Sequence, residues 1–172
     1  MINESVFQEF YDRTKQGLWL YLVKTTRDEA AAKDIFQDSY VRFIQAASND
    51  VAETKMKSYL YQIATNLMRD HWRAVKRRRL WFVPSTEHEE YASPAHLAVT
   101  SDAKMDISRA FASLSPRERS VLWLAYAEGY NHKEIAELLE LREKSIRVLL
   151  FRAKKKAAAV LSSLGYSHEV TL

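Results

Sequence analysis

Arg147, Val148, Phe151 and Arg152 lie at spacings that a single helix presents together, and Lys154, Lys155 and Lys156 follow directly. Arginine can read guanine edges in the major groove of duplex DNA, an apolar side chain can meet a thymine methyl, and lysine suits phosphate. A second stretch, RDHWRAVKRRR from Arg69, places six Lys or Arg in eleven residues, with Tyr59, Tyr61, Trp72, Trp81 and Phe82 in or near it. Single-stranded nucleic acid prefers such a combination, because cations track its backbone while ring faces take unstacked bases. Tyr59 and Trp72 fall on or near an apolar stripe and are expected in the core, whereas Asn66, one residue off that stripe, is the natural base-edge reader. Catalysis has no comparable support. The five His (71, 88, 96, 132 and 168) are scattered, no HExxH, GxGxxG, GxSxG or Walker loop occurs, and the carboxylates show no pairing. With no Cys, thiol catalysis, disulfides and Cys-based metal sites are excluded, so no catalytic residue, metal, cofactor or small-molecule substrate is expected.

Charge is segregated along the chain. Residues 54–79 hold 8 basic side chains against 1 acidic, and residues 141–172 hold 7 against 2, although the 172-residue chain is only +4 overall. Two separate cationic patches can each attract a polyanion. At 47% hydrophobic and 28% charged residues the balance is globular, and only three Gly and three Pro disfavour the many tight turns of an all-β fold. The opening MINESVFQEFYDR is acidic and interrupted, unlike a signal peptide, and nowhere do 18 apolar residues run together. A cytoplasmic protein without membrane insertion is expected.

Periodicity supplies the elements that must position these residues. Phe7, Phe10, Tyr11, Thr14, Leu18, Tyr21 and Leu22 stripe a first helix. Asp28 caps a second, with Ala32, Phe36, Tyr40, Phe43 and Ala47 inward and Asp34, Gln37, Asp38 and Arg42 elsewhere. Met56, Tyr59, Leu60, Ile63 and Leu67 stripe a third, which turns basic from Arg69. Residues 80–102 lose the periodicity and carry Pro84, Pro94 and the acidic Glu87, Glu89 and Glu90, a linker signature. Ile107, Ala110, Phe111 and Leu114 then suggest a short helix, and Ser115-Pro116 caps the next, which Gly129 ends. A short helix from His132 to Leu139, a turn at Glu140 to Arg142 and a longer basic helix form a helix-turn-helix, packed through Ile135, Ala136, Leu139, Leu141, Ile146, Leu150 and Ala153. The expected fold is all-α: two small helical domains, 1–79 and 103–172, joined by a flexible linker, the second containing the helix-turn-helix.

The order and spacing of DEAAAKDIFQDSYVRF, MKSYLYQIATNLMRDHWR and LSPRERSVLWLAYAEGYNHKEIAELLELREKSIRVLLFRAKKKA resemble a bacterial RNA polymerase sigma factor of the extracytoplasmic-function (ECF) branch of the sigma-70 family, over nearly all of residues 5–160. The resemblance implies core RNA polymerase and promoter DNA as partners, with an inhibitory anti-sigma factor. It implies that Asp34, Gln37 and Arg42 dock on polymerase. Asn66, Arg69, Asp70 and Arg73, with Lys76 and Arg77, would bind the melted minus-ten element, and the loop at 47–54 would correspond to the family's base-capturing loop. Arg147, Val148, Phe151 and Arg152, with Lys154 and Lys155, would bind the minus-thirty-five element.

Glu140 stands where the family's turn commonly has Gly, which argues against the usual left-handed geometry there, although a residue with a side chain costs that conformation only about 1 kcal/mol and the fold survives it. Val148 and Leu149 replace residues that are usually polar or basic, and an exposed Leu149 would serve a partner surface. The competing reading is an autonomous helix-turn-helix regulator. It accounts for residues 115–156 equally well but leaves the first basic stretch and the long acidic linker without a role.

Overall fold

The computed structural model describes residues 2–47, 52–81 and 102–166, all helix and connection without strands. These fall into two compact units. The first holds α1 (Glu4–Thr26), α2 (Glu29–Ala46) and α3 (Glu53–Trp81); the second holds α4 (Asp102–Ala112), α5 (Pro116–Tyr126), α6 (His132–Leu139) and α7 (Glu143–Ser163). Residues 82–101, with Phe82 and most of the expected linker, and residues 48–51 of the expected base-capturing loop lie outside the described residues. Among the described residues no helix is long and apolar enough to cross a membrane.

In the first unit the α1–α2 turn is built from local hydrogen bonds. Arg27 adopts the left-handed conformation (φ 56°) and its N–H donates to the Val23 carbonyl, while the Asp28 carboxylate accepts from the Ala31 N–H at 3.0 Å and caps α2 as expected. The helices therefore run back on each other and bring Phe10 onto Phe43, stacked at 4.8 Å, with Leu18, Tyr21 and Leu22 fully buried beside them. Two hydroxyl pairs bridge the helices inside this core. The Thr14 hydroxyl donates to the Phe10 carbonyl at 2.7 Å, so the Tyr40 hydroxyl, 2.8 Å away, must donate to Thr14. Burial keeps that phenol protonated and pushes its pKa up to about 12. Tyr21 and Thr65 share a hydroxyl contact of 2.9 Å that ties α1 to α3.

The face of α3 differs from the expected one. Met56 and Leu60 are buried as expected, but the inward stripe continues through Tyr61, Ala64, Thr65 and Met68, while Ile63 and Leu67 are only half-buried and Tyr59 is 41% exposed. The small residues Ala64 and Thr65 add little apolar signal, yet they let α3 approach α1 and α2 closely; the larger Ile63 and Leu67 at the margin misled the periodicity.

The second unit is organised by reciprocal caps. The Ser115 hydroxyl accepts from the Glu118 N–H and the Glu118 carboxylate from the Ser115 N–H at 2.9 Å, with Pro116 at the first helical position; Asn131 and Glu134 repeat the arrangement on α6. Helix α5 stops at Tyr126, and Gly129 follows three residues later with φ 74°, where only glycine adopts the turn without strain. Glu140 is left-handed (φ 52°, ψ 46°), the geometry that turns α6 into α7. Ile135, Ile146 and Ala153 are fully buried, with Ala136, Leu139 and Leu150 nearly so, which is the expected helix-turn-helix core. Leu138 is buried as well, whereas Leu141 is half-buried. Two expectations fail here. Ile107 points outward, because α4 meets its neighbours through Ala110 and Phe111, with Leu114 buried just beyond its end. Leu149 is half-buried rather than exposed, being one position from buried Leu150 and so at the edge of the packed face.

Glu118 also joins α5 to α7. Its carboxylate, almost inaccessible, accepts from Lys156 at 2.8 Å and 3.0 Å across 38 residues of sequence. Burial opposes its ionisation, but Lys156 together with the Ser115 hydroxyl and backbone N–H outweighs burial and holds the carboxyl below the ordinary glutamate range. A carboxyl so depressed contributes stability above its unfolded pKa and loses it as pH falls through the lower folded value. Glu118→Gln is therefore expected to cost about 1–2 kcal/mol near pH 7 and to remove part of the acid sensitivity of the second unit. Urea unfolding at pH 7 and pH 3 measures this; parallel pH profiles for the two proteins would refute it.

Candidate nucleic-acid and polymerase-docking surfaces

Helix α3 returns to nearly the same face every seven residues, so Tyr59, Asn66 and Arg73 form one row, flanked by Gln62, Arg69 and Lys76 on one side and by Asp70 and Arg77 on the other. Arg73, Asp70, Lys76 and Arg77 are exposed and Arg69 is half-buried. Asp70 is an anion within this cationic face; it lies 3.5 Å from Arg73 and restrains that guanidinium. Asn66 is half-buried rather than freely exposed, and its Oδ1 is shielded from solvent without a hydrogen-bond partner among the described residues. A shielded amide with unused hydrogen-bonding capacity suits a ligand that brings its own polar edge.

Tyr59 is the residue whose place the structure changes. Expected in the core, it sits in the row of Asn66 and Arg73 with its ring 6.3 Å from Phe43, which supports it from below. Tyr61 takes the core position instead, fully buried against Tyr21. Trp72 is half-buried, consistent with a packing role.

On α2, Asp34 and Gln37 are exposed on the side opposite the buried Ala32 and Phe43. Arg42 is exposed too, but it lies about 100° round the helix from the line that Asp34 and Gln37 continue. Val41 and Ile44 occupy that line. Val41, at 53% exposed, stands at its centre, and sequence reasoning overlooked it. The signal was present: an apolar residue half a turn away from a helix's own buried stripe has no core to enter.

Helix α7 presents Arg147, Val148, Phe151, Arg152 and Lys155 to solvent, Phe151 with 66% of its surface exposed. Buried Ile146, Leu150 and Ala153 fix this orientation. The lysines divide. Lys155 is exposed, Lys154 is half-buried with its ammonium 4.9 Å from the Tyr126 ring centroid, and Lys156 is held by Glu118. Lys156 therefore has a structural partner, where a phosphate contact was expected. Tyr126, exposed at the end of α5, was also missed.

Sigma-70 region 2 matches residues 10–78, and Sigma-70, region 4 matches residues 104–156. The chain belongs to the sigma-70 family, in its ECF branch. Among relatives, the ECF RNA polymerase sigma factor SigM of Bacillus subtilis is 26% identical over 156 residues, 88% of this chain and 93% of its own length. The ECF RNA polymerase sigma factor SigL of Mycobacterium tuberculosis is 27% identical over 166 residues, 94% of this chain and 92% of its own. Of solved structures, the sigma factor RpoE in complex with the anti-sigma factor NepR from Bartonella quintana shares the fold: TM-score 0.66, 17% identity, 90% of this chain and 98% of that one. In this sigma factor, the matched segments contain the cationic row of α3 and the exposed Arg147 and Arg152 of α7.

Proposed function

We propose that the chain binds core RNA polymerase and directs promoter-specific transcription initiation, with residues 1–79 holding the minus-ten element, residues 103–172 the minus-thirty-five element and residues 80–102 linking them. The observation that carries this reading is that each unit presents one solvent-facing cationic helix face, and that the two faces differ in chemistry. The α3 row combines exposed Tyr59 with Asn66 and arginines, which suits unpaired bases; α7 offers Arg147, Arg152, Val148 and Phe151, which suit the edges of paired ones. Asp34 and Gln37, with Val41 between them, dock the first unit on polymerase, and Arg42 contributes from the side. An anti-sigma factor is a further partner. The chain acts in the cytoplasm with the polymerase, which makes the RNA; the sigma factor supplies binding energy that offsets the cost of opening the duplex.

Adding the chain to bacterial core polymerase and sequencing transcript starts tests this directly. New starts sharing two upstream elements are expected; random starts, or a polymerase that ignores the chain, would overturn it. Strong footprinting on duplex DNA without polymerase would favour the autonomous regulator. Within this reading, Arg147→Ala is expected to lose roughly 1–3 kcal/mol of promoter affinity and to relax the preference at one base pair, while Lys155→Ala weakens all sequences alike and lowers the salt slope by about one. Filter binding of the holoenzyme across a salt series separates the two outcomes.

A further inference from the structure

The DNA-facing part of α7 contains one acidic side chain. Glu143, its first helical residue, is the sole carboxylate among the described residues of 141–166, flanked in sequence by Arg142 and Lys144 and one turn before Arg147. An anion on a surface meant for DNA repels phosphate, so its presence calls for a compensating role. Its contact indicates what that role is. The Arg147 Nη2 donates to Glu143 Oε1 at 3.2 Å, one helical turn along the same face, and both side chains are exposed.

We propose that Glu143 is a specificity-determining positioning residue, which holds the Arg147 guanidinium so that its remaining N–H groups are offered to a guanine. This rests on the reading that α7 lies in the minus-thirty-five major groove. A guanidinium has five N–H donors in a rigid fork; one engaged with Glu143 leaves enough for bidentate contact with guanine O6 and N7. The tether also works against wrong bases. Held at Glu143, the guanidinium offers its free N–H groups at one place, where guanine supplies two acceptors and a base without that pair supplies at most one. Glu143 thus gives up some general affinity and sharpens the choice at one base pair.

The test uses holoenzyme assembled from core polymerase and the full chain, with promoters varied at each minus-thirty-five position. Glu143→Gln is expected to reduce discrimination by about two- to fivefold, the range of an exposed ion pair, and only at the base pair where Arg147→Ala acts. In the Arg147→Ala background it should change discrimination no further. A uniform change across all promoters, or an effect that persists without Arg147, would overturn the proposal while leaving α7 in the groove. If Arg147→Ala itself shows no base-specific effect, the placement of α7 falls and the proposal with it. Thermal unfolding of the Glu143→Gln protein supplies the structural control: discrimination should fall with little change in melting temperature, and a loss that follows destabilisation would mean that Glu143 serves only the helix.

Discussion

Phe43→Ala is expected to cost the first unit about 3–5 kcal/mol, the range for deleting a buried aromatic ring. Phe43 is fully buried, stacks on Phe10 at 4.8 Å and lies 6.3 Å from Tyr59. Its removal opens a cavity where all three helices of the unit meet. A unit of this size has roughly 4–12 kcal/mol in all, so the variant should be close to unfolding at growth temperature. Its melting transition should drop by at least about 12 °C. The functional loss should be paired, because α2 carries the residues proposed to dock on polymerase and α3 the row proposed to hold unpaired bases. Polymerase binding and promoter opening are expected to fail together. Calorimetry of the full chain checks the partition: the transition of the second unit should stay in place if the two units fold independently, and a common shift would show that they do not.

The two tyrosines of α3 should separate function from stability. Tyr61 is fully buried and packs on Tyr21 at 5.3 Å between ring centroids, so Tyr61→Ala is expected to cost about 3–5 kcal/mol of stability. Tyr59→Ala should cost much less stability, because 41% of the residue is already exposed to water. It should instead weaken promoter opening by about 1–3 kcal/mol, the value of one base stacked on an aromatic face. Tyr59→Phe keeps that face and should retain most of the activity. Open-complex formation, followed by permanganate reactivity of unpaired thymines at fixed holoenzyme concentration, gives the readout. Normal opening by Tyr59→Ala would remove the ring from the DNA surface, and equal stability losses at both positions would restore it to the core.

These two residues also show where sequence reading stops. The caps at Asp28 and Ser115-Pro116 were legible because their chemistry is local, satisfying backbone groups within a few residues. The face of α7 was legible for a similar reason. Its apolar residues Ile146, Leu150 and Ala153 have few alternative partitions, so Arg147, Val148, Phe151 and Arg152 had to lie outside. Helix α3 was harder to read. Its apolar residues extend round much of the circumference, and the choice between Tyr59 and Tyr61 depends on where Ala64 and Thr65 allow α1 and α2 to approach.

The sequence by itself determined the helices, their caps, the helix-turn-helix and the two concentrations of positive charge, because each depends on interactions within one or two turns. Only the tertiary structure decided which face of α3 is wet, that Ile107 and Val41 point outward and Leu149 does not, and that Lys156 belongs to Glu118 rather than to a phosphate. Those outcomes depend on contacts between helices, in the last case across 38 residues, and no local pattern encodes which of several cations a buried carboxylate will meet.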